Sequence, residues 1–434
     1  MKELASNSDL IREIPDPHTL ERFRGGANNK FGQAGGIYLY SSDNTQIMDF
    51  SAGLTGHNLG YNHPRLINSV ASQMEQYARS GGYFDNTGTL FQLKNSLSGK
   101  YPSGMDSCFF TNTEADALKY ALWLAHGIRN RPVVIRISFN PYGQPRDFAP
   151  TDYQTAVELL EEDDIPGSVN CSLGFRNFSK KLTEITPEMI LAELLCKLTE
   201  IFGPTATLDQ VCAIIVELGG EHNGFLPPPA DVIYAIRLLC DQHGILFILD
   251  EGRAAIGRTG LMFASQAFEV DPDLIVVGKG IANEYSLGCI VIKHGFAAGV
   301  LEGEWNTAEI DPISCAAALA TLDVIETEDL LCNCLQMGAR LRAGLQVLQS
   351  RFPIIGEVRG VGLNWALDIV STEDPTIPCP SAAAALVNVL LDRGLKVYRA
   401  GAYGNTLCLM PPLNVSEDQV QCALNILKYC LERH

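Results

Sequence analysis

The chain has 434 residues, of which 46% are hydrophobic and 19% are charged. This length predicts two or three domains, or one large α/β domain with a smaller partner, and the apolar content excludes a disordered chain. A formal net charge of −18 argues against nucleic acid and anionic membranes as partners. The thirteen cysteines are scattered through apolar segments without a CxxC pair, which predicts free thiols in a reducing cytoplasm.

The first predicted elements follow a polar N-terminal segment, which ends near Gly35 and is expected to wrap over the surface. Charges occupy the positions where a signal peptide needs an apolar run, and no apolar stretch reaches membrane-spanning length, so we expect a cytoplasmic protein. Two strands joined by a turn are predicted at 36–40 and 46–50. An amphipathic helix is predicted over 65–74.

Short apolar runs alternate with helical stretches between Cys108 and Ile292. The runs are almost wholly apolar, which is typical of strands covered on both faces and predicts an α/β domain with a mostly parallel sheet. They lie at 107–110, 133–135, 213–216, 245–249 and 274–277. The more polar segment 154–187 is interpreted as an insertion or a flap on the substrate side.

The C-terminal third is predicted to form a smaller α+β domain. A long stretch with helical period runs from Ala316 to Phe352, and strand-like residues follow at 356–369. A helix at 381–392, a β pair around Val397 and Leu407, and a closing helix at 418–431 complete it. The predicted division has an N-terminal segment 1–60 that contributes to the small domain, a large domain 61–325 and a small domain 326–434.

An acid and a lysine follow two neighbouring strands of the predicted sheet. The strand at 245–249 leads into Asp250, and the strand at 274–277 leads into Lys279. Ligand sites of open α/β sheets lie at the carboxyl ends of strands. The pair suits pyridoxal 5′-phosphate (PLP), because a lysine forms its Schiff base and an acid keeps its pyridine nitrogen protonated. Two simpler interpretations stay open: a lysine that reaches the surface and an aspartate that caps a helix.

The residues around this pair resemble the class III aminotransferases, which are PLP enzymes of fold type I. The resemblance rests first on the run from Ile245 to Glu251 and on the segment from Pro272 to Gly280, and it extends from about Gly35 to the C-terminus. Further segments that carry it lie at 48–53, 58–64, 257–260, 311–322, 358–363 and 411–413.

This resemblance implies roles for individual residues. Lys279 would form the Schiff base and, once released, would move the substrate Cα proton. Asp250 would pair with the pyridinium nitrogen, and Glu217 matches a glutamate at a strand end beside the cofactor. Thr307 matches a threonine that reaches the phosphate bound by the partner subunit, which implies a homodimer with shared active sites and an amine or amino acid as substrate.

The cofactor phosphate is expected at the start of the helix that begins at Glu114, because free backbone N–H groups and the helix dipole favour an anion there. Thr111, Asn112 and Thr113 are the candidate donors, although Thr113 can equally be only the helix N-cap. Tyr142 is the candidate for stacking on the ring, within a motif that differs from the usual tyrosine-histidine-glycine of the family.

Two departures from the family pattern concern cofactor binding. Asn112 runs directly into Thr113, so the phosphate loop lacks the usual serine-glycine pair, and Asn112 is expected to replace the glycine at a positive φ. Arg253 stands where the family usually has a glutamine. This fixed cation would stabilise the ring phenolate or would bind a substrate carboxylate.

Two further departures concern the substrate carboxylate. Cys408 stands where the family usually has the arginine that binds an α-carboxylate, and a thiol cannot hold a carboxylate. Glu221 or His222 occupies the position of the glutamate that switches with that arginine. Three hypotheses remain: a transaminase with a different substrate clamp, a one-substrate PLP enzyme (an epimerase, a decarboxylase or a β/γ-eliminating enzyme), and a non-catalytic descendant, against which the presence of Asp250 and Lys279 argues.

Overall fold

The structure is a computed structural model. It describes residues 31–41, 45–76, 87–139, 168–173, 190–192, 194–196, 199, 204–205, 207–220, 224, 228, 230–296, 310–401 and 403–433. The helices of these residues are α1 (Pro64–Gln76), α2 (Thr87–Ser98), α3 (Glu114–Arg129), α4 (Ala230–His243), α5 (Pro312–Thr327), α6 (Leu330–Arg351), α7 (Pro380–Asp392) and α8 (Glu417–Leu431). The strands are β1 (Phe31–Gly35), β2 (Tyr38–Ser41), β3 (Gln46–Asp49), β4 (Met105–Thr111), β5 (Val133–Phe139), β6 (Ser168–Leu173), β7 (Val211–Glu217), β8 (Leu246–Asp250), β9 (Leu274–Val277), β10 (Gly288–Lys293), β11 (Ile355–Val361), β12 (Asn364–Ile369), β13 (Leu395–Lys396), β14 (Tyr398–Ala400) and β15 (Thr406–Leu409).

The central sheet has seven strands in the order β4-β10-β9-β8-β7-β5-β6. The neighbours from β9 to β6 are parallel, whereas β10 runs antiparallel to both β9 and β4. The predicted α/β fold with a mostly parallel sheet is therefore confirmed. The apolar runs of β7, β8 and β9 are buried along nearly their whole length, because α3 packs on one face of the sheet and α4 on the other.

Three strands lie where the sequence did not predict them. The β1 strand lies inside the segment expected to wrap over the surface, where it pairs with β2. The β6 strand falls within the proposed flap 154–187 and forms the sheet edge beside β5, so that part of the segment belongs to the core architecture. The β10 strand is the antiparallel member of the central sheet. Long-range pairing decides all three, and no local pattern in the sequence reports it.

Two smaller sheets flank the central one. The first has the order β1-β2-β3-β13, and its parallel contact between β3 and β13 joins the N-terminal and C-terminal parts of the chain, with Leu395 opposite Met48. The second is antiparallel, in the order β11-β12-β15-β14. Pairing of the N-terminal strands with β13 is compatible with the predicted contribution of residues 1–60 to the small domain, and the division into three parts remains a prediction.

The predicted long helical stretch before Phe352 is two helices, α5 and α6. The chain breaks between them at Asp329, which adopts a left-handed φ of 50°. Within the described residues no helix combines the length and the apolar character needed to cross a membrane. The described cysteines form no disulfide, and many of them are buried in the core.

Candidate active site at the carboxyl ends of the central strands

Glu217 and Asp250 are the last residues of β7 and β8, and they are direct partners in the register of these parallel strands. Side chains two residues apart on a strand point to the same face. Both carboxylates therefore lie on the face of Ile215 and Ile248, which is the face covered by α3. Lys279 begins a short 3-10 turn two residues beyond β9, so it reaches the same edge. The three predicted residues thus meet at one edge of the sheet.

Asp250 is almost completely buried, and both of its carboxylate oxygens have partners. Oδ1 accepts a hydrogen bond from the Gly252 backbone N–H at 3.1 Å. Oδ2 accepts a hydrogen bond from Nη2 of Arg136 at 3.4 Å, and the two side chains form an ion pair. Arg136 belongs to β5, two strands away, so its side chain crosses β7 to reach Asp250. These contacts orient the carboxylate at the strand end.

Burial raises the pKa of Glu217 to about 7, and the neighbouring carboxylates of Asp250 and Glu114 act in the same direction. Arg136 and Arg253 oppose this rise in pKa. Glu217 therefore takes up a proton near neutral pH far more readily than an ordinary carboxyl. A neutral Glu217 beside Asp250 avoids placing two adjacent negative charges at the strand ends.

Glu114, the first residue of α3, places its carboxylate between Gly252 and Gly278. A Cβ atom added at Gly252 would lie 2.1 Å, and one added at Gly278 2.2 Å, from a Glu114 carboxylate oxygen, so a side chain at either position would displace this carboxylate. The carboxylate also accepts a hydrogen bond from the Lys279 backbone. Burial, followed by the charge of Asp250, raises the pKa of Glu114. Glu114 thus ties the N-terminus of α3 to the lysine turn.

Arg253 lies on the loop after β8 and donates to the carbonyl oxygen of Leu54 at 3.2 Å. Leu54 belongs to a left-handed helical turn, Ala52–Thr55, in which Leu54 itself has a φ of 61°. The guanidinium lowers the pKa of both Glu114 and Glu284, against the larger effect of their burial. The predicted cation is therefore part of the charged cluster at this edge.

Glu284 is a further carboxylate of the site. It has a φ of 77°, a value that is costly for a residue other than glycine. Its Oε2 lies 3.9 Å from Nδ1 of His57. Burial raises its pKa, whereas the charges of Lys279 and Arg253 lower it. Desolvation lowers the pKa of His57 to about 4, so this imidazole is neutral at physiological pH.

The residues of the predicted phosphate loop form hydrogen bonds with one another and with Ser286. The Thr111 hydroxyl donates to the Thr113 carbonyl at 2.7 Å. Thr113 is the N-cap of α3, where its side chain accepts from the Asp116 N–H. The Asn112 carbonyl accepts from the Ser286 hydroxyl at 2.8 Å. The backbone N–H groups in the first turn of α3 are further hydrogen-bond donors for an anion at this end of the site.

The expectation that Asn112 replaces a glycine at positive φ is wrong, because Asn112 lies outside the left-handed region. A glycine of β10, Gly288, packs directly against this loop. A Cβ atom at Gly288 would lie 2.2 Å from the Thr113 carbonyl oxygen and 2.5 Å from the Thr111 hydroxyl. The shortened loop thus packs against a neighbouring strand that has no side chain at the contact.

Cys408 is fully buried in β15, where its thiol packs in a small apolar cluster with Ala366, Ala400, Met410 and the ring of Tyr398. The position that carries an arginine in the usual family pattern is therefore part of the core here. Four other predicted positions, Tyr142, Glu221, His222 and Thr307, lie outside the described residues.

Three charged residues of the site were not predicted from the sequence: Arg136, Glu114 and Glu284. A signal existed for Arg136, because it is a charged residue in the apolar run that begins at Val133. Glu114 lies in the first turn of a helix, where acidic residues are common, so its position did not indicate a place in the site. Glu284 had no local signal, because its proximity to Lys279 and His57 depends on the turn after β9.

The family model described as Aminotransferase class-III matches residues 27–431. The chain belongs to this family. Among curated members, 5-aminovalerate aminotransferase DavT of Pseudomonas putida is 29% identical over 392 residues, 89% of each chain. An (R)-1-hydroxy-2-aminoethylphosphonate ammonia-lyase of Vibrio splendidus is 28% identical over 419 residues, 92% of this chain and 85% of that one. A solved amine transaminase from an uncultivated Pseudomonas species, in a PLP-bound form, is 26% identical and covers 98% of this chain and 97% of its own, with a TM-score of 0.77.

Class-III membership confirms fold type I and PLP as the cofactor. The side chains at the strand ends fit that group. Lys279 would offer an amine for its aldehyde, Asp250 would offer an oriented carboxylate for its ring nitrogen, and the first turn of α3 would offer N–H groups for its phosphate. These three kinds of group lie at one edge of the sheet, which is where α/β enzymes of this kind bind their ligands.

Proposed function

We propose that this class-III enzyme transfers an amino group from an amine or amino acid to a carbonyl compound, with Lys279 as its covalent anchor and Asp250 as its partner for the pyridine nitrogen. The observation that carries the proposal is the register of β7 and β8. It places Asp250 beside Glu217 at the edge where Lys279 follows β9.

PLP, when bound, supplies an electron sink that stabilises negative charge at the substrate Cα. Lys279 would hold the cofactor and would remove and return the proton at the substrate Cα. Asp250 holds a proton at the ring nitrogen, and the Gly252 N–H and Arg136 fix the direction of its carboxylate. The N–H groups at the start of α3 bind the phosphate.

Glu217 and Arg253 complete the cofactor site in this proposal. Glu217 is partly protonated near neutral pH and so competes less with Asp250 for the positive charge of the ring than an ordinary carboxylate would. Arg253 either stabilises the ring phenolate or binds a substrate carboxylate. The second role would compensate for the missing arginine at Cys408, whose thiol packs in the core.

The test of the anchor is chemical. Borohydride reduction of the holoenzyme followed by peptide mapping should place the pyridoxyl group on Lys279. Lys279→Ala should keep the fold and lose the covalent attachment, whereas Lys293→Ala, at the end of β10, should keep the attachment. A pyridoxyl group on another lysine would remove Lys279 from the role.

The second candidate function is a one-substrate PLP reaction, such as an elimination, a decarboxylation or an epimerisation. Two observations favour it: the apolar surroundings of Cys408, and the family relative that is an ammonia-lyase. Substrate without any acceptor separates the two candidates. A transaminase releases at most one equivalent of carbonyl product per subunit and stops, whereas a one-substrate enzyme turns over repeatedly.

We further propose that the enzyme is a homodimer with shared active sites, in which Thr307 reaches the phosphate bound by the partner subunit. This rests on the match of Thr307 to the family pattern. The net charge of −18 supports a small-molecule substrate in place of nucleic acid or a membrane surface. The buried free thiols support a reducing, cytoplasmic location.

A further inference from the structure

Arg136 is a charged residue in a parallel strand of the central sheet. Its neighbours Val133, Val134, Ile135 and Ile137 are all buried, and it lies between β7 and β6 with Ile215 as its register partner on β7. A charge in such a strand is costly unless it is paired. The side chain of Arg136 is 30% exposed, and its partner, Asp250, is only 8% exposed.

The register shows how the two groups meet. Arg136 lies level with Ile215, and Ile215 lies level with Ile248 on β8. Asp250 therefore lies two residues closer to the carboxyl end of its strand than the level of Arg136, and on the same face of the sheet. The guanidinium reaches Asp250 from deeper in the sheet, on the face covered by α3. It does not need the space in front of the strand ends, where the cofactor binds.

Asp250 has charged groups on several sides. Glu217 lies beside it on β7, Glu114 faces it from the start of α3, and Glu251 follows it on the opposite face. The cations of this edge are Arg136, Arg253 and Lys279. Within the described residues, Asp250 forms its ion pair with Arg136. In the proposed function Lys279 binds the cofactor, and Arg253 donates to the Leu54 carbonyl.

We propose that Arg136 is a positioning residue that shares the negative charge of Asp250 and thereby weakens the hold of this carboxylate on the proton of the cofactor's ring nitrogen. The proposal rests on the proposed role of Asp250. A carboxylate that already neutralises one cation stabilises a second cation less well. The consequence is a cofactor that withdraws electrons less strongly than it would beside an unpaired aspartate.

The experiment measures the ring nitrogen directly. Holoenzyme is prepared with PLP labelled with ¹⁵N in the ring, and the ¹⁵N resonance is compared between wild type and Arg136→Met. Loss of the arginine should shift this resonance toward the value of a fully protonated pyridinium. Arg136→Gln keeps a hydrogen-bond donor without the charge and should shift the ¹⁵N resonance in the same direction. It replaces Arg136→Met in the comparison if that variant does not fold.

Two controls isolate the charge at this position. Arg136→Lys keeps a cation and should leave the resonance near its wild-type value. Arg129→Met removes a similarly half-buried cation from the far end of α3 and should leave it unchanged. An unshifted resonance in Arg136→Met and Arg136→Gln, or a shift toward unprotonated pyridine, overturns the proposal.

Failure of the underlying assignment gives a different result. If Asp250 does not pair with the ring nitrogen, Asp250→Asn leaves the ¹⁵N resonance unchanged, and the role of Asp250 in the proposed function is lost. If Asp250→Asn moves the resonance and the Arg136 variants do not, the role of Asp250 stands and only the role of Arg136 falls.

Discussion

Glu217 and Asp250 face each other across neighbouring parallel strands, one carboxylate beside the other at the edge of the sheet. Two like charges at this separation disfavour each other, and burial adds to the effect. The observed compromise is a Glu217 whose pKa is raised to about 7 and an Asp250 that pairs with Arg136. This division gives Asp250 a cationic partner and lets Glu217 take up a proton near neutral pH.

The raised pKa of Glu217 predicts a pH dependence of stability. Its pKa is about 7 in the folded chain against an ordinary 4.5, so the folded state binds more protons between these values. The contribution of Glu217 to the free energy of unfolding is therefore fully present below pH 4.5 and is lost as pH rises to about 7. Denaturant unfolding of the apoenzyme across this range should show a smaller decline in Glu217→Gln.

Glu251 sets the background of that measurement, because burial also raises its pKa to about 7. Its carboxylate accepts from the Ala264 and Ser265 N–H groups on the other face of the sheet. The decline should therefore be reduced in Glu217→Gln and should not vanish. Identical pH dependence in wild type and variant would contradict the assignment.

Asp250→Asn should slow the reaction by on the order of 100-fold or more, because an amide of the same size cannot hold the ring nitrogen in its protonated form. The rate of the half reaction with donor alone measures this step without interference from the acceptor. Asp273→Asn is a control for general destabilisation, since Asp273 lies just before β9, at the opposite end of that strand from Lys279, and pairs with Arg237 of α4. Near wild-type turnover of Asp250→Asn would remove Asp250 from the mechanism.

Gly288→Ala should weaken PLP binding. The added Cβ would lie 2.2 Å from the Thr113 carbonyl oxygen, which is backbone, so the turn before α3 must shift. Titration of the apo variant with PLP gives the dissociation constant. Gly127→Ala is the control. Gly127 lies in α3, and a Cβ atom added there would meet no atom within 4 Å, so the affinity for PLP should be unchanged. Equal affinity of the two variants would show that the turn before α3 takes no part in binding.

Thr307 and Lys279 should complement each other across the dimer. An inactive Lys279→Ala subunit mixed with a Thr307→Ala subunit should recover part of the activity, because one site of the hybrid then has both residues intact. The activity of the mixture is compared with that of each variant alone, after exchange of subunits. A fully active monomer, or a mixture with no recovered activity, would contradict shared sites.

Arg253→Gln should lower kcat/KM by about tenfold to a hundredfold, which corresponds to roughly 1.5–3 kcal/mol for the loss of a charge-assisted contact. Cys408→Ala should have almost no effect on activity, because the thiol packs in an apolar cluster. 2-Oxoglutarate should be a poor acceptor, since the usual arginine is absent. Efficient turnover with glutamate and 2-oxoglutarate would show that the clamp has been relocated and kept.

The sequence by itself determined the family, the cofactor and the mostly parallel character of the central sheet. Buried parallel strands are apolar at almost every position, so their pattern is visible in the runs before Asp250 and Lys279 without knowledge of their neighbours. The end of such a strand is also the place where a ligand binds. For these two residues, local pattern and position in the chain carried the information.

Only the tertiary structure decided which charges share the site. Arg136 is 114 residues before Asp250 in the chain, and Glu114 precedes Gly252 by more than a hundred positions. Their contacts depend on the order of the strands and on the face of the sheet to which each side chain points. The same holds for Gly288, which packs against the phosphate loop, and for β6 and β10, whose pairing is long-range. No local pattern encodes such contacts, because the physical cause lies in the packing of segments that are distant in the sequence.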